Sequence, residues 1–166
     1  MTEGDQGSDP WGSRFEELSQ PTHQSLKDLH AYWLSKKGTR KAPPRSAIRP
    51  DEIVKQLPSV ALLDVVGDPP RFRFRLFGTQ LVAAYGQDLT GKFVDEIDVG
   101  SRVPPEMLAR ATKVVRECCI NVGRSQYTKK SDQRRVEYER ILLPLSEDGE
   151  TVNMVLCAYA IETAYG

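Results

Sequence analysis

A chain of 166 residues with 39% apolar content is long enough to bury one core and too short for two. Lys plus Arg and Asp plus Glu each number 23, so bulk charge draws the protein to neither nucleic acid nor an anionic membrane, and any basic site has to be local. Three cysteines, two of them adjacent, make no disulfide framework. No apolar run resembles a signal peptide or a membrane span, and a reducing cytoplasm is the expected compartment.

Residues 1–21 (MTEGDQGSDPWGSRFEELSQP) carry Gly, Ser, Asp and Pro with little periodicity and read as a mobile leader. Trp11, Phe15 and Leu18 could dock part of it as a short helix. Residues 22–57 read as an N-terminal helix and connector. Thr22 is the expected N-cap, Leu26, Leu29, Tyr32 and Trp33 recur at helical spacing, and Gly38 closes the run. The segment TRKAPPRSAIRP is basic and Pro-rich, and DEIVKQL between Pro50 and Pro58 predicts a short helix.

Residues 58–166 form the main domain. SVALLDVVG and RFRFRLFG, joined by GDPP, predict a hairpin. Its second strand would place Phe72, Phe74 and Leu76 on one face and Arg71, Arg73 and Arg75 on the other. TQLVAAYG predicts a short helix with Thr79 as N-cap, and DLTGKFVDEI a turn with a brief helix or loop. The longest helical pattern, VPPEMLARATKVVRECCINVG, has Met107, Leu108, Ala111, Val114, Val115 and Cys118 inward and Gly123 as its stop. RSQYTKK, RRVEYERILLPLS and TVNMVLCAYAIE then predict three strands. The fold class is α+β: a five-stranded antiparallel sheet with helices gathered on one face and the N-terminal helix covering part of the other.

Arg71, Arg73 and Arg75 admit two readings. On the outer face of the sheet they would meet acids such as Glu137 and Glu139, and the alternating phenylalanines favour this. Alternatively Arg75, nearest Gly78, turns inward to hold a carboxylate bidentately. Arg140 is the better inward candidate: it shares parity with Val136, Tyr138 and Leu142 in a strand apolar on both faces, so it would need a buried partner. Cys118 and Cys119, read as helical neighbours, point too far apart to share a centre, and no metal site is expected. No GxSxG, HExxH, GxxxxGK or GxGxxG pattern occurs, and no catalytic residues are assigned.

The pieces HAYWLSKKG, LPSVALLDV, RFRFRLFGTQLVAAYGQDLTGK and YERILLPLSEDGETVNMVL, in this order, resemble a PAS domain. More closely, they resemble a proteobacterial subfamily of stand-alone PAS proteins. The likeness spans roughly residues 26–162. It implies a sensory or protein-interaction module acting in signal transduction through a separate output protein, and not an enzyme. It also implies a small-molecule cleft between sheet and helical block, with Phe74, Leu76, Tyr85, Phe93, Val115 and Tyr138 as lining, and Arg75 and Arg140 as polar anchors. Leu29, Tyr32 and Trp33 would serve a partner or homodimer interface on the outer face.

The cofactor is unknown. Haem is disfavoured because His23 and His30 both precede the sheet, and a photoactive flavin because no Asn-Cys-Arg-Phe run is present. The competing classes are a ligand-free adaptor, a small enzyme, and a nucleic-acid binder resting on KKGTRKAPPR and the arginine strand. Neutral charge weighs against the last.

Overall fold

The computed structural model describes residues 14–97, 105–128 and 134–165. The elements in chain order are β1 (Arg14–Leu18), α1 (Gln24–Lys37), β2 (Val60–Val66), β3 (Arg71–Phe77), α2 (Thr79–Tyr85), α3 (Pro105–Glu117), β4 (Asn121–Thr128), β5 (Arg135–Leu145) and β6 (Met154–Tyr165). The strands form one antiparallel sheet of six in the order β1-β4-β5-β6-β2-β3. The α+β class is as read from the sequence. The sixth strand comes from residues 14–18, where a mobile leader was expected.

The sheet is covered on both faces. On the inner face, Leu63, Phe72, Phe74, Leu142, Val155 and Cys157 meet Leu81 of α2 and Met107, Ala111 and Val114 of α3. The last three recur at the i, i+4, i+7 spacing of one helix face. On the outer face, Leu62, Ile141, Leu143, Leu145 and Leu156 meet Leu26, Leu29 and Trp33 of α1. Full burial of such side chains contributes about 1.5–3 kcal/mol each, so α1 is part of the folded unit.

Its start is held from the sheet. Fully buried Glu139 on β5 accepts the backbone N–H of Thr22 at 2.9 Å, that of His23 at 3.0 Å, and the Thr22 hydroxyl. Burial pushes this carboxyl upward, but these donors outweigh it and hold its pKa below the ordinary value. Thr22 is therefore not the N-cap. His23 takes that position through its backbone carbonyl, and its ring bonds Glu162. Farther along, the Trp33 indole N–H donates to the Pro144 carbonyl at 2.9 Å.

Leu29 and Trp33, expected at a partner or dimer interface, are 0% and 3% exposed and consumed by this packing. The Tyr32 hydroxyl donates to Glu52 at 2.8 Å and accepts from the Arg49 N–H at 3.0 Å, which fixes the connector. That connector folds as separate 3-10 turns, Pro50–Glu52 and Leu57–Ser59, in place of one helix.

Two further expectations are corrected. A bulge lies between Leu62 and Leu63, with Leu62 opposite Leu76 and Leu63 opposite Phe74. The extra residue, Arg75, flips the alternation. Leu76 is left outside and exposed, and Phe77 takes the inner position at 5.2 Å from Phe74. The long helix ends at Glu117, with Cys118 at φ 47, and NVG belongs to β4. Cys118 and Cys119 are therefore linker residues. Gly123 lies mid-strand because a Cβ there would sit 2.1 Å from the Phe15 ring.

Candidate functional site

Neighbouring residues of a strand face opposite ways. With Glu139 on the outer face, Arg140 points inward, and it is 1% exposed. Its Nη2 donates to Glu106 Oε2 of α3 at 3.0 Å. Burial alone opposes the charge, but Tyr159, Glu106 and Tyr138 outweigh it and hold the guanidinium pKa above its ordinary value. The rings of Tyr138 and Tyr159 lie 5.7 Å apart, and the Tyr159 hydroxyl contacts Met107 Sδ at 3.9 Å. Burial raises the Tyr159 pKa well above the usual phenol value, so it stays neutral and able to donate.

β4 and β1 complete this region. Gly123 is paired with Arg140 on one side and Glu17 on the other, while Ser125 is paired with Tyr138 and Phe15. Phe15 and Glu17 therefore share the inner face with Asn121, Gly123 and Ser125. The guanidinium carbons of Arg110 and Arg140 lie 4.6 and 5.4 Å from the Phe15 ring centroid. Glu17 accepts from Arg110 at 3.1 Å and from the Asn121 amide at 3.2 Å. Arg140 Nε, Glu106 Oε1, Asn121 Oδ1 and Ser125 Oγ are buried there without a hydrogen-bond partner among the described residues. Each such group costs about 1–3 kcal/mol, so this corner carries donors and acceptors that no other described residue uses.

Residues 21–160 match the protein family described as PAS domain. The chain belongs to the PAS domain family. A solved structure of an RNA-binding light-oxygen-voltage receptor is similar at a TM-score of 0.49 and 11% identity. The match covers 90% of this chain but only 38% of that one, so this chain spans well under two thirds of the receptor's length. Among curated proteins, none matches. PAS domains are sensory and signalling modules, typically without enzymatic activity, and no helix among the described residues is long and apolar enough to cross a membrane.

Within the PAS fold, the residues predicted to line a cleft separate into three groups. Phe74, Tyr85 and Val115 join the inner apolar cluster, with Tyr85 packed edge-on against Phe77. Tyr138 and Arg140 stand together on β5. Arg75, Leu76 and Phe93 are placed elsewhere. Arg75 pairs with Asp64 at 2.9 Å on the outer face, as does Arg73 at 3.3 Å. Arg71 holds Asp95 and Glu96, and its guanidinium lies 4.0 Å above the Phe93 ring. The arginine strand is therefore paired with acids, but with Asp64, Asp95 and Glu96 in place of the expected Glu137 and Glu139.

The thiols offer little nucleophilic chemistry. Burial raises the pKa of Cys118 and Cys119, and it pushes Cys157 up to about 12. Among the described residues, no three His, Cys, Asp or Glu side chains are grouped as a metal would require. Sequence reasoning found Arg140 but missed Glu106, Phe15, Asn121 and Ser125. The one available signal for Glu106 was a carboxylate in the first turn of an otherwise amphipathic helix.

Proposed function

We propose that this chain is a sensory PAS module that takes a small molecule against the inner face of β5 and regulates a separate output protein. The observation that carries the reading is the Arg140–Glu106 pair, which joins β5 to α3 with one donor and one acceptor left without a partner among the described residues. A pair serving only stability would be expected to satisfy both. The RFRFRLFGT and LPLSEDG segments further support a place in a bacterial stand-alone branch of the family. Because α1 covers Leu143 and Leu156, the partner surface in this reading excludes Leu29 and Trp33.

Native mass spectrometry of protein purified from its own host, with an absorbance spectrum of the same sample, tests the reading. A bound mass that is lost in Arg140→Gln supports it. A clean apo mass from both proteins, with no small-molecule response on return of host extract, replaces it with a ligand-free adaptor.

A further inference from the structure

The aromatic ring of Phe15 occupies a place that the rest of the molecule has shaped for a ring. Gly123 supplies the floor, where any side chain would collide with Phe15 Cζ at 2.1 Å. The guanidinium groups of Arg110 and Arg140 supply flat cationic surfaces within 4.6 and 5.4 Å of its centroid. Yet a phenyl ring uses none of these hydrogen-bonding atoms on this face of the sheet: Arg140 Nε, Glu106 Oε1, Ser125 Oγ and Asn121 Oδ1 have no partner among the described residues. The ring is delivered by a five-residue strand that, among the described residues, is an edge strand bonded on one side only, to β4. Such a strand is the part of a sheet most readily released.

We propose that Phe15 is a displaceable plug, and that the ligand exchanging with it is a flat, uncharged ring bearing an adjacent donor and acceptor. This rests on the reading that the inner face of β5 takes a small molecule, and it names the class. Flatness follows from the stacking guanidinium groups and the glycine floor. Neutrality follows from the local charge: Arg110 and Arg140 are each already paired, with Glu17 and Glu106, two cations against two anions. A ligand carboxylate would meet Glu106 Oε1, and a ligand cation would meet the guanidinium groups. An amide-like edge instead gives an acceptor to Arg140 Nε and a donor to Glu106 Oε1.

The test uses the full chain and two probes that share one ring, uncharged nicotinamide and anionic nicotinate. Calorimetric titration of Phe15→Ala should show nicotinamide binding at least about tenfold tighter than to wild type, because the competing ring is gone. Nicotinate should bind that variant at least about tenfold more weakly than nicotinamide. In wild type, saturating nicotinamide should speed amide exchange across residues 14–18 while residues 24–37 are unchanged, a readout that survives if the variant folds poorly. Equal nicotinamide affinity of wild type and variant, no binding to a folded variant, nicotinate binding as well as nicotinamide, or unchanged exchange at 14–18 would each overturn the plug. A host-derived bound mass alongside any of these results would leave the sensory reading standing and remove only the plug.

Discussion

Replacing Glu139 by alanine should loosen α1 from the sheet. The buried carboxylate accepts the Thr22 and His23 amides at 2.9 and 3.0 Å together with the Thr22 hydroxyl. A hydrogen bond to a charged group contributes about 1.5–3 kcal/mol net. The three bonds share one carboxylate and do not add independently, and Arg124 at 3.6 Å, half-exposed, regains water when the acid is removed. An overall loss of about 3 kcal/mol is expected, which a domain of about 5–15 kcal/mol survives. Glu139→Gln keeps the volume and one acceptor and should lose about half as much. Urea unfolding gives the free energies, and amide exchange across 24–37 shows whether the loss is local to α1.

The pH dependence provides a second check. The folded pKa of Glu139 lies below its unfolded value, so its stabilisation is fully present above about pH 4.3 and is lost as pH falls through the folded pKa. The gap between wild type and Glu139→Gln should therefore close on acidification. A Glu139→Ala loss within about 0.5 kcal/mol, as for a surface change, with exchange at 24–37 unaltered, would refute the docking argument.

Trp33→Phe removes the donor to the Pro144 carbonyl at 2.9 Å and should lower stability by about 1–3 kcal/mol in urea unfolding, whereas an unchanged midpoint would show that carbonyl re-satisfied. Gly78→Ala would place a Cβ 2.4 Å from the Pro58 carbonyl oxygen. It should cost about 1–3 kcal/mol and lower Tm by several degrees; a Tm equal to wild type would mean the Leu57–Ser59 turn yields freely. Iodoacetamide at neutral pH should leave Cys157 unmodified in folded protein and label Cys118 and Cys119 more slowly than in urea-unfolded chain, as read by peptide mass spectrometry. Rapid labelling of either linker thiol in folded protein would contradict the raised pKa values.

What was legible in the sequence was set by local pattern. The β2–β3 hairpin, α2 between Thr79 and Gly86, the inner face of α3 and the final strands all follow from periodicity and turn residues close by. Arg140 was also readable, since parity placed a charge in a doubly apolar strand and so demanded a partner. The identity of that partner was not, because Glu106 lies 34 residues away. Glu139 read as a surface acid for the same reason: the helix start it holds is 117 residues earlier. In β1 no alternation was visible, because Phe15 faces inward and Leu18 outward, so one apolar residue serves each face. The bulge at Arg75 left no mark in RFRFRLF, whose unbroken alternation gave the wrong face to Leu76. Gly123 read as a helix stop because glycine carries that meaning more often than it carries a close approach to an aromatic ring.

The double covering of the sheet has a bearing on how the chain matures during synthesis. β1 and α1 leave the ribosome before their supports, β4 and the Glu139–Pro144 stretch of β5, which follow more than one hundred residues later. Until β5 emerges, the Leu26, Leu29 and Trp33 stripe lacks Ile141, Leu143 and Leu145, a large part of the surface it rests on. Distant pairings of this kind slow folding and leave apolar surface open meanwhile. β1 and α1 are thus made ahead of their supports and consolidated only after them, and nascent chains halted ahead of β5 should display α1 to proteases and chaperones while chains that include β5 and β6 conceal it.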